Sequence, residues 1–95
     1  MKLADLNPRE REYGYVEFDC PAGHPHRIIV PTDKAFVANA WARSGEFPAT
    51  LTLSPSILAH QGIPNERGIV GGDEYERAAK CGWHGFITNG EVTNA

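Results

Sequence analysis

Two short Cys/His clusters, separated by most of the chain, constrain the fold of this 95-residue protein more than any other feature. The first reads CPAGHPH and contains Cys20, His24 and His26, and the second reads CGWH and contains Cys81 and His84. Structural zinc sites use four sulfur and nitrogen ligands in a tetrahedron, commonly as two short-range pairs from two segments. The spacing therefore predicts one zinc site that joins the two clusters. Its expected ligands are Cys20, His24, Cys81 and His84.

The histidine in the first cluster and the state of the cysteines leave alternatives open. On a strand His24 and His26 point to the same face, so His26 could take the place of His24. The two cysteines could instead form a disulfide, or remain free thiols beside surface histidines. Four protein ligands would make the metal structural, whereas an open position would admit water and permit catalysis by the metal.

Length and charge limit the size of the core and the kind of partner. A single domain of this size buries roughly 60–65% of its unfolded surface, so a metal would compensate for a thin core. The net charge of −3 and the scattered basic residues argue against nucleic acid as a partner. The N-terminal residues lack the apolar run of a signal peptide, and no stretch approaches the ~20 apolar residues of a membrane span. We therefore expect a cytoplasmic protein that does not bind membranes.

The hydrophobic pattern predicts a small α+β domain. Polar and charged residues 1–12 predict a flexible N-terminal segment, followed by a single zinc-binding domain over residues 13–95. Strands are expected at YGYVEFD and HRIIV, which the first Cys/His cluster joins as a hairpin. A further strand is expected in PATLTL, and a closing hairpin around Asn89-Gly90. The expected architecture is a twisted antiparallel sheet of about five strands, with one or two short helices and one zinc.

Two segments carry helix signals. In TDKAFVANAWARSG, residues 32–45, Thr32 or Asp33 could cap a helix that Gly45 would end. Its apolar residues lie at helical spacing and would pack on the sheet. A shorter helix is predicted in DEYERAAK, residues 73–80, which begins with a capping-box pattern.

A longer pattern resembles that of a known family. FDCPAGHPHRIIVP, then a tryptophan, SGEFPATLTLSPSILA and CGWHGFITNGEV cover most of residues 16–92. Together they resemble a family of small, mostly uncharacterised proteins of phages and prophages, sometimes misleadingly titled "ammonia monooxygenase". The pattern is also similar to the peptidase component of bacterial ubiquitin-like conjugation operons. Many relatives carry a second cysteine where this chain has Ala22 or His24, so the resemblance leaves the fourth ligand open.

The resemblance implies a serine nucleophile in the SPS stretch, where we expect the strand after Pro48 to break. It favours Ser56 over Ser54. A serine hydroxyl is a weak nucleophile and needs a general base within hydrogen-bond reach, which His26 or His60 could supply. Otherwise SPS is an ordinary turn whose hydroxyls bond to the backbone.

Two functions follow from these features. The first is a zinc-stabilised hydrolase, a serine-type peptidase that acts on a ubiquitin-like protein or its conjugates, in the bacterial host cytoplasm if phage-encoded. The second is a non-catalytic, zinc-binding phage accessory protein that binds a protein partner. A histidine within hydrogen-bond distance of either serine would favour the first.

Overall fold

The computed structural model describes residues 1–59 and 81–95, which form two antiparallel β-sheets. The first sheet has the strand order β1-β2-β3, and the second has the order β4-β5-β6-β7. Two 3-10 turns, Leu3–Leu6 and Glu12–Gly14, flank the first strand. The strands are β1 (Arg9–Arg11), β2 (Tyr15–Asp19), β3 (Arg27–Pro31), β4 (Ala42–Ser44), β5 (Thr52–Leu58), β6 (His84–Thr88) and β7 (Glu91–Asn94).

The predicted α+β class is wrong, because the described residues contain no α-helix and form two sheets rather than one. The segment 32–45 makes turns and then β4. Asp33 Oδ1 accepts a hydrogen bond from the Ala35 N–H at 2.9 Å, so an expected helix cap closes a local turn instead. The Trp41 N–H donates to the Pro31 carbonyl at 2.9 Å. This bond returns the chain to the end of β3 before a helix can extend.

The apolar residues of this segment also pack differently from the helical prediction. Trp41 packs against the core, whereas Phe36, expected on the same buried face, is 58% exposed. The second predicted helix, residues 73–80, lies outside the described residues. Within the described part of the chain, no helix has the length and apolar character needed to cross a membrane.

Both predicted hairpins are confirmed. Strands β2 and β3 pair from Tyr15↔Pro31 to Asp19↔Arg27, so the first Cys/His cluster lies in their connecting loop. Strands β6 and β7 pair around a two-residue turn, in which Asn89 and Gly90 have φ of 50° and 77°. Positive φ at both central residues is the requirement of the type I′ turn, and this explains the Asn-Gly pair.

The expected break at SPS is wrong, because β5 continues through it as one strand, Thr52–Leu58. The pairing with β6 shifts register between Leu53 and Ile57, at the proline-containing stretch. Proline has no N–H to donate to a neighbouring strand, and a local irregularity accommodates it without ending the strand. As a result Ser56 lies within a paired strand rather than on a loose turn.

The inner faces of the two sheets share one hydrophobic core. Phe18 of the first sheet meets Trp83, just before β6, edge to face, with ring centroids 6.3 Å apart. In β3 and β6 buried and exposed residues alternate, as the period of two in a strand requires. The main buried side chains are Val16, Phe18, Ile28 and Val30 from the first sheet, and Leu53, Ile57, Ile87 and Val92 from the second.

Within the N-terminal segment 1–12, predicted to be flexible, the first three residues bond to the second sheet and Arg9–Arg11 form β1 of the first sheet. Lys2 forms an isolated bridge with Glu91, and the Leu3 N–H donates to the Gly90 carbonyl at 2.8 Å. Leu3 is fully buried and lies one 3-10 turn before the buried Leu6. Residues three apart eclipse in a 3-10 turn, so both leucines enter the core from one side.

Candidate metal centre and active site

Three of the four expected metal ligands come together, and the fourth partner is His26. The Sγ atoms of Cys20 and Cys81 lie 3.5 Å apart. His24 Nδ1 lies 3.7 Å from the first sulfur and 3.4 Å from the second. One ligand atom from each of these residues and from His26 can be chosen so that all four lie within 4.8 Å of one another. We call these four residues the Cys/His cluster.

The β2–β3 loop curls the cluster together through its backbone. The Gly23 N–H donates to the Cys20 carbonyl at 3.0 Å, and Gly23 adopts φ of 83°, which glycine tolerates without strain. The Cys20 N–H donates to the His26 carbonyl at 3.2 Å, which extends the hairpin ladder by one step. The turn therefore presents both histidines beside the first cysteine.

Three of the four ligand atoms of the cluster, those of Cys20, His24 and Cys81, have the spacing of a tetrahedral metal site. Zn–S bonds of about 2.3 Å and Zn–N bonds of about 2.0–2.1 Å place the ligand atoms of such a site roughly 3.3–3.8 Å apart. The three sulfur and nitrogen separations given above fall in this range. A disulfide needs an S–S distance near 2.05 Å, and both cysteines are free thiols in the structure.

The side chain of His26 gives independent evidence for a metal ligand role, because its ring nitrogens lack hydrogen-bond partners among the described residues. Both of its ring nitrogens are buried and have no hydrogen-bond partner within the described residues. Buried polar atoms are nearly always paired, and a bound cation would supply the partner that this imidazole lacks among the described residues. The cluster can therefore hold a metal ion.

Burial also shifts the acid–base behaviour of the cluster. It lowers the pKa of His26, which favours the neutral imidazole that can coordinate a metal. Burial raises the pKa of the Cys81 thiol. A metal would displace that proton on binding, so its affinity would fall in acid.

His84, the fourth expected ligand, lies away from the cluster. It is the first residue of β6 and pairs with Leu58. Cys81 is buried, whereas His84 is exposed on the outer face of the second sheet. The Cys-x-x-His spacing does not bring His84 into the cluster, because His84 begins a paired strand and its side chain points outward.

Instead, His84 meets one of the serines. Its Nε2 lies 3.0 Å from the Oγ of Ser56. Ser56 points outward beside the buried Ile57, and His84 points outward opposite Leu58. The two residues are thus diagonal neighbours on adjacent strands, a separation that a ring side chain can bridge.

Hydrogen bonds hold the backbone on both sides of this contact. The Trp41 indole N–H donates to the Ser56 carbonyl at 3.2 Å. Beyond Leu58, the Ala59 N–H donates to the Trp83 carbonyl at 2.8 Å and continues the pairing of β5 with the chain before β6. The contact between Ser56 and His84 therefore rests on paired strands, which restrict its geometry.

The other sequence candidates lie elsewhere or outside the described residues. Ser54 is exposed where β5 pairs with Ala42, and it contacts no histidine of the described chain. His26 belongs to the Cys/His cluster, and His60 lies outside the described residues. Our sequence reasoning missed His84 as a partner of Ser56. The alternation of HGFIT, which turns His84 outward, was the signal available for it.

Polar groups at the ends of β2 and β3 lie beside the cluster. The Arg27 Nη1 donates to Asp19 Oδ1 at 2.6 Å, and Asn7 Nδ2 donates to Asp19 Oδ2 at 2.7 Å. The hydrogen bond from Asn7 is the largest cause that lowers the pKa of Asp19, and Arg27 adds to it. Arg27 also lies 3.6 Å from the buried carboxylate of Glu17. Its charge is therefore largely engaged within the fold.

A protein-family model described as "Bacterial ubiquitination-like system serine protease (BubE)" matches residues 4–95. The chain belongs to the BubE family. Searches of curated proteins and of solved structures found no match. The family description confirms the relation to the peptidase component of bacterial ubiquitin-like systems. BubE membership also indicates that the partners of the chain are proteins.

Proposed function

We propose that the chain is a serine peptidase in which Ser56 is the nucleophile and His84 is the general base. The observation that carries this proposal is the 3.0 Å separation of Ser56 Oγ and His84 Nε2. It is the distance at which an imidazole can accept the proton of a hydroxyl during attack. The description of the BubE family as serine proteases supports the same assignment.

The geometry supports a two-step acyl transfer. His84 Nε2 accepts the hydroxyl proton as Ser56 Oγ bonds to the carbonyl carbon of the scissile peptide. His84 then donates that proton to the leaving amine as the C–N bond breaks, which leaves an ester on Ser56. A water molecule, deprotonated by His84, hydrolyses the ester and restores both side chains. Because the pair sits on adjacent strands, little reorganisation is needed before attack.

The substrate class that we propose is a ubiquitin-like protein, as a precursor or as a conjugate. Its support is the family description, which places BubE proteins in bacterial ubiquitination-like systems. His84 is exposed and Ser56 half-buried on the outer face of the second sheet. An extended protein tail can therefore reach the nucleophile without entering a deep cavity.

We further propose that the cation of the Cys/His cluster is zinc, held by Cys20, His24, His26 and Cys81. Two thiolates and two imidazoles form a ligand set typical of structural zinc, and the three separations among Cys20, His24 and Cys81 agree with it. Zinc here would supply a crosslink between the β2–β3 loop and the segment that precedes β6. Four protein ligands leave no position for water, so this zinc would stabilise the fold and take no part in the chemistry.

The test compares the wild type with Ser56→Ala and the matched variant Ser54→Ala. Each is incubated with ubiquitin-like precursors from bacterial ubiquitination-like operons, and products are identified by mass spectrometry. The wild type and Ser54→Ala should release the C-terminal extension, whereas Ser56→Ala should be slower by roughly 10³-fold or more. Equal cleavage by all three, or no cleavage by the wild type, would refute the proposal.

A further inference from the structure

Four outward-facing residues of β5 and β6 form a square around the candidate nucleophile. Leu58 lies directly opposite His84, and Phe86 follows His84 by two residues on the same outer face. Ser56 and His84 occupy one diagonal of this square. Leu58 and Phe86 occupy the other diagonal, so a large apolar side chain lies on each side of the Ser56–His84 line.

Both apolar residues are open to solvent. Leu58 is 45% exposed and Phe86 is 42% exposed. The Phe86 ring lies beside the His84 imidazole, with ring centroids 6.5 Å apart and an angle of 31° between the planes. Covering such apolar surface on binding is favourable, because it removes the surface from water. A chain positioned for attack by Ser56 would cover this surface.

We infer that Leu58 and Phe86 determine specificity by binding two apolar side chains of the substrate, one on each side of the scissile bond. This inference rests on the proposed peptidase function. Its occupant is an extended segment of a protein substrate, because the apolar pair is continuous with the Ser56–His84 contact and shares its sheet face. A chain that crosses the Ser56–His84 line must pass over Leu58 on one side and Phe86 on the other.

The spacing of the pair predicts the spacing of the substrate side chains. In an extended peptide, residues i and i+2 point to the same face and lie about 6.8 Å apart. Diagonal neighbours on adjacent strands lie at a similar separation, about 7–8 Å. The substrate should therefore carry two apolar side chains two residues apart, with the cleaved bond between them.

The experiment uses a ubiquitin-like precursor that the wild-type chain cleaves in a Ser56-dependent manner. Four substrate positions are tested, the two residues before the cleaved bond and the two after it. Each is changed in turn to Leu and to Ser, and kcat/KM is measured. The wild type should prefer Leu over Ser by roughly 10-fold at two positions that are two residues apart. Leu58→Ser should bring this ratio towards one at one position, and Phe86→Ser at the other.

Ile29→Ser is the matched control, because Ile29 is 47% exposed but lies on the first sheet. It should keep the wild-type Leu/Ser ratios at every position. Ser56-dependent cleavage without an apolar preference, or ratios that neither Leu58→Ser nor Phe86→Ser alters, would overturn this inference and leave the peptidase intact. If Leu58→Ser or Phe86→Ser changed the oligomeric state but not the Leu/Ser ratios, the face would instead bind a second copy of the chain. Failure of every precursor to be cleaved would overturn both proposals.

Discussion

The Nε2 of His84 lies 3.0 Å from Ser56 Oγ, although the two residues are 28 positions apart in the chain. Only three positions before His84, Cys81 is buried against Cys20 with a sulfur separation of 3.5 Å. Only Gly82 and Trp83 thus separate the Cys/His cluster from the candidate active site along the chain. The cluster and the serine–histidine pair share no side chain, so mutations can separate their roles.

Replacing the two histidines should have different consequences. His84→Ala removes the proposed base and should lower kcat by roughly 10²–10⁴-fold while the zinc content stays at the wild-type level. His26→Ala removes a proposed zinc ligand and should lower the zinc content. Elemental analysis of the purified proteins, together with the precursor cleavage assay, measures both effects. Loss of zinc from the His84→Ala variant would instead show that His84 is a zinc ligand.

Removal of the metal should destabilise the fold rather than slow one chemical step. A metal that binds the folded chain and not the unfolded one adds its binding free energy to stability. Cys20→Ser, or chelation of the wild type, should therefore lower the thermal midpoint followed by circular dichroism. Ser56→Ala serves as the control, and its midpoint should match that of the wild type. A chelated protein that melts like the untreated one would contradict a structural metal.

The shared core predicts a difference between two isoleucines. Ile87 is fully buried between the sheets, whereas Ile29 lies on an outer face. Ile87→Ala should lower the free energy of unfolding by about 2–5 kcal/mol, because it leaves a cavity in the core. Ile29→Ala should change it by about 0.5 kcal/mol or less. Urea denaturation measures both, and similar losses would argue against the two-sheet packing.

Asp19 should titrate below its ordinary pKa, chiefly because Asn7 donates a hydrogen bond to its carboxylate. A lowered folded pKa stabilises the protein above the unfolded pKa, and this contribution is lost as the pH falls through the folded value. Asn7→Ala should move the Asp19 midpoint upward, so that the stabilising contribution is smaller and its loss is complete at a higher pH. Carboxyl-carbon NMR follows the midpoint directly. An unchanged midpoint in the variant would show that Asn7 does not hold this carboxylate.

Local patterns in the sequence determined the hairpins. The alternation in YVEFD and RIIV, and the Asn89-Gly90 turn, act over a few residues, and the structure has strands and a turn at these positions. The helix predicted over residues 32–45 does not form. The backbone N–H of Trp41 instead donates to the carbonyl of Pro31, at the end of β3. A short helix is only marginally stable by itself, so hydrogen bonds and packing with a sheet can favour a different backbone conformation.

The sequence by itself also supplied the chemistry: two thiols, clustered imidazoles and a serine in a strand-forming stretch. Only the tertiary structure decided which histidine stands beside which group. His84 begins β6 and points outward, whereas Cys81 is buried, and the register of β5 against β6 brings His84 to Ser56. The turn between β2 and β3 leaves His26 with the cysteines. The physical reason is that strand register depends on packing between residues far apart in the chain, which spacing within a short motif does not encode.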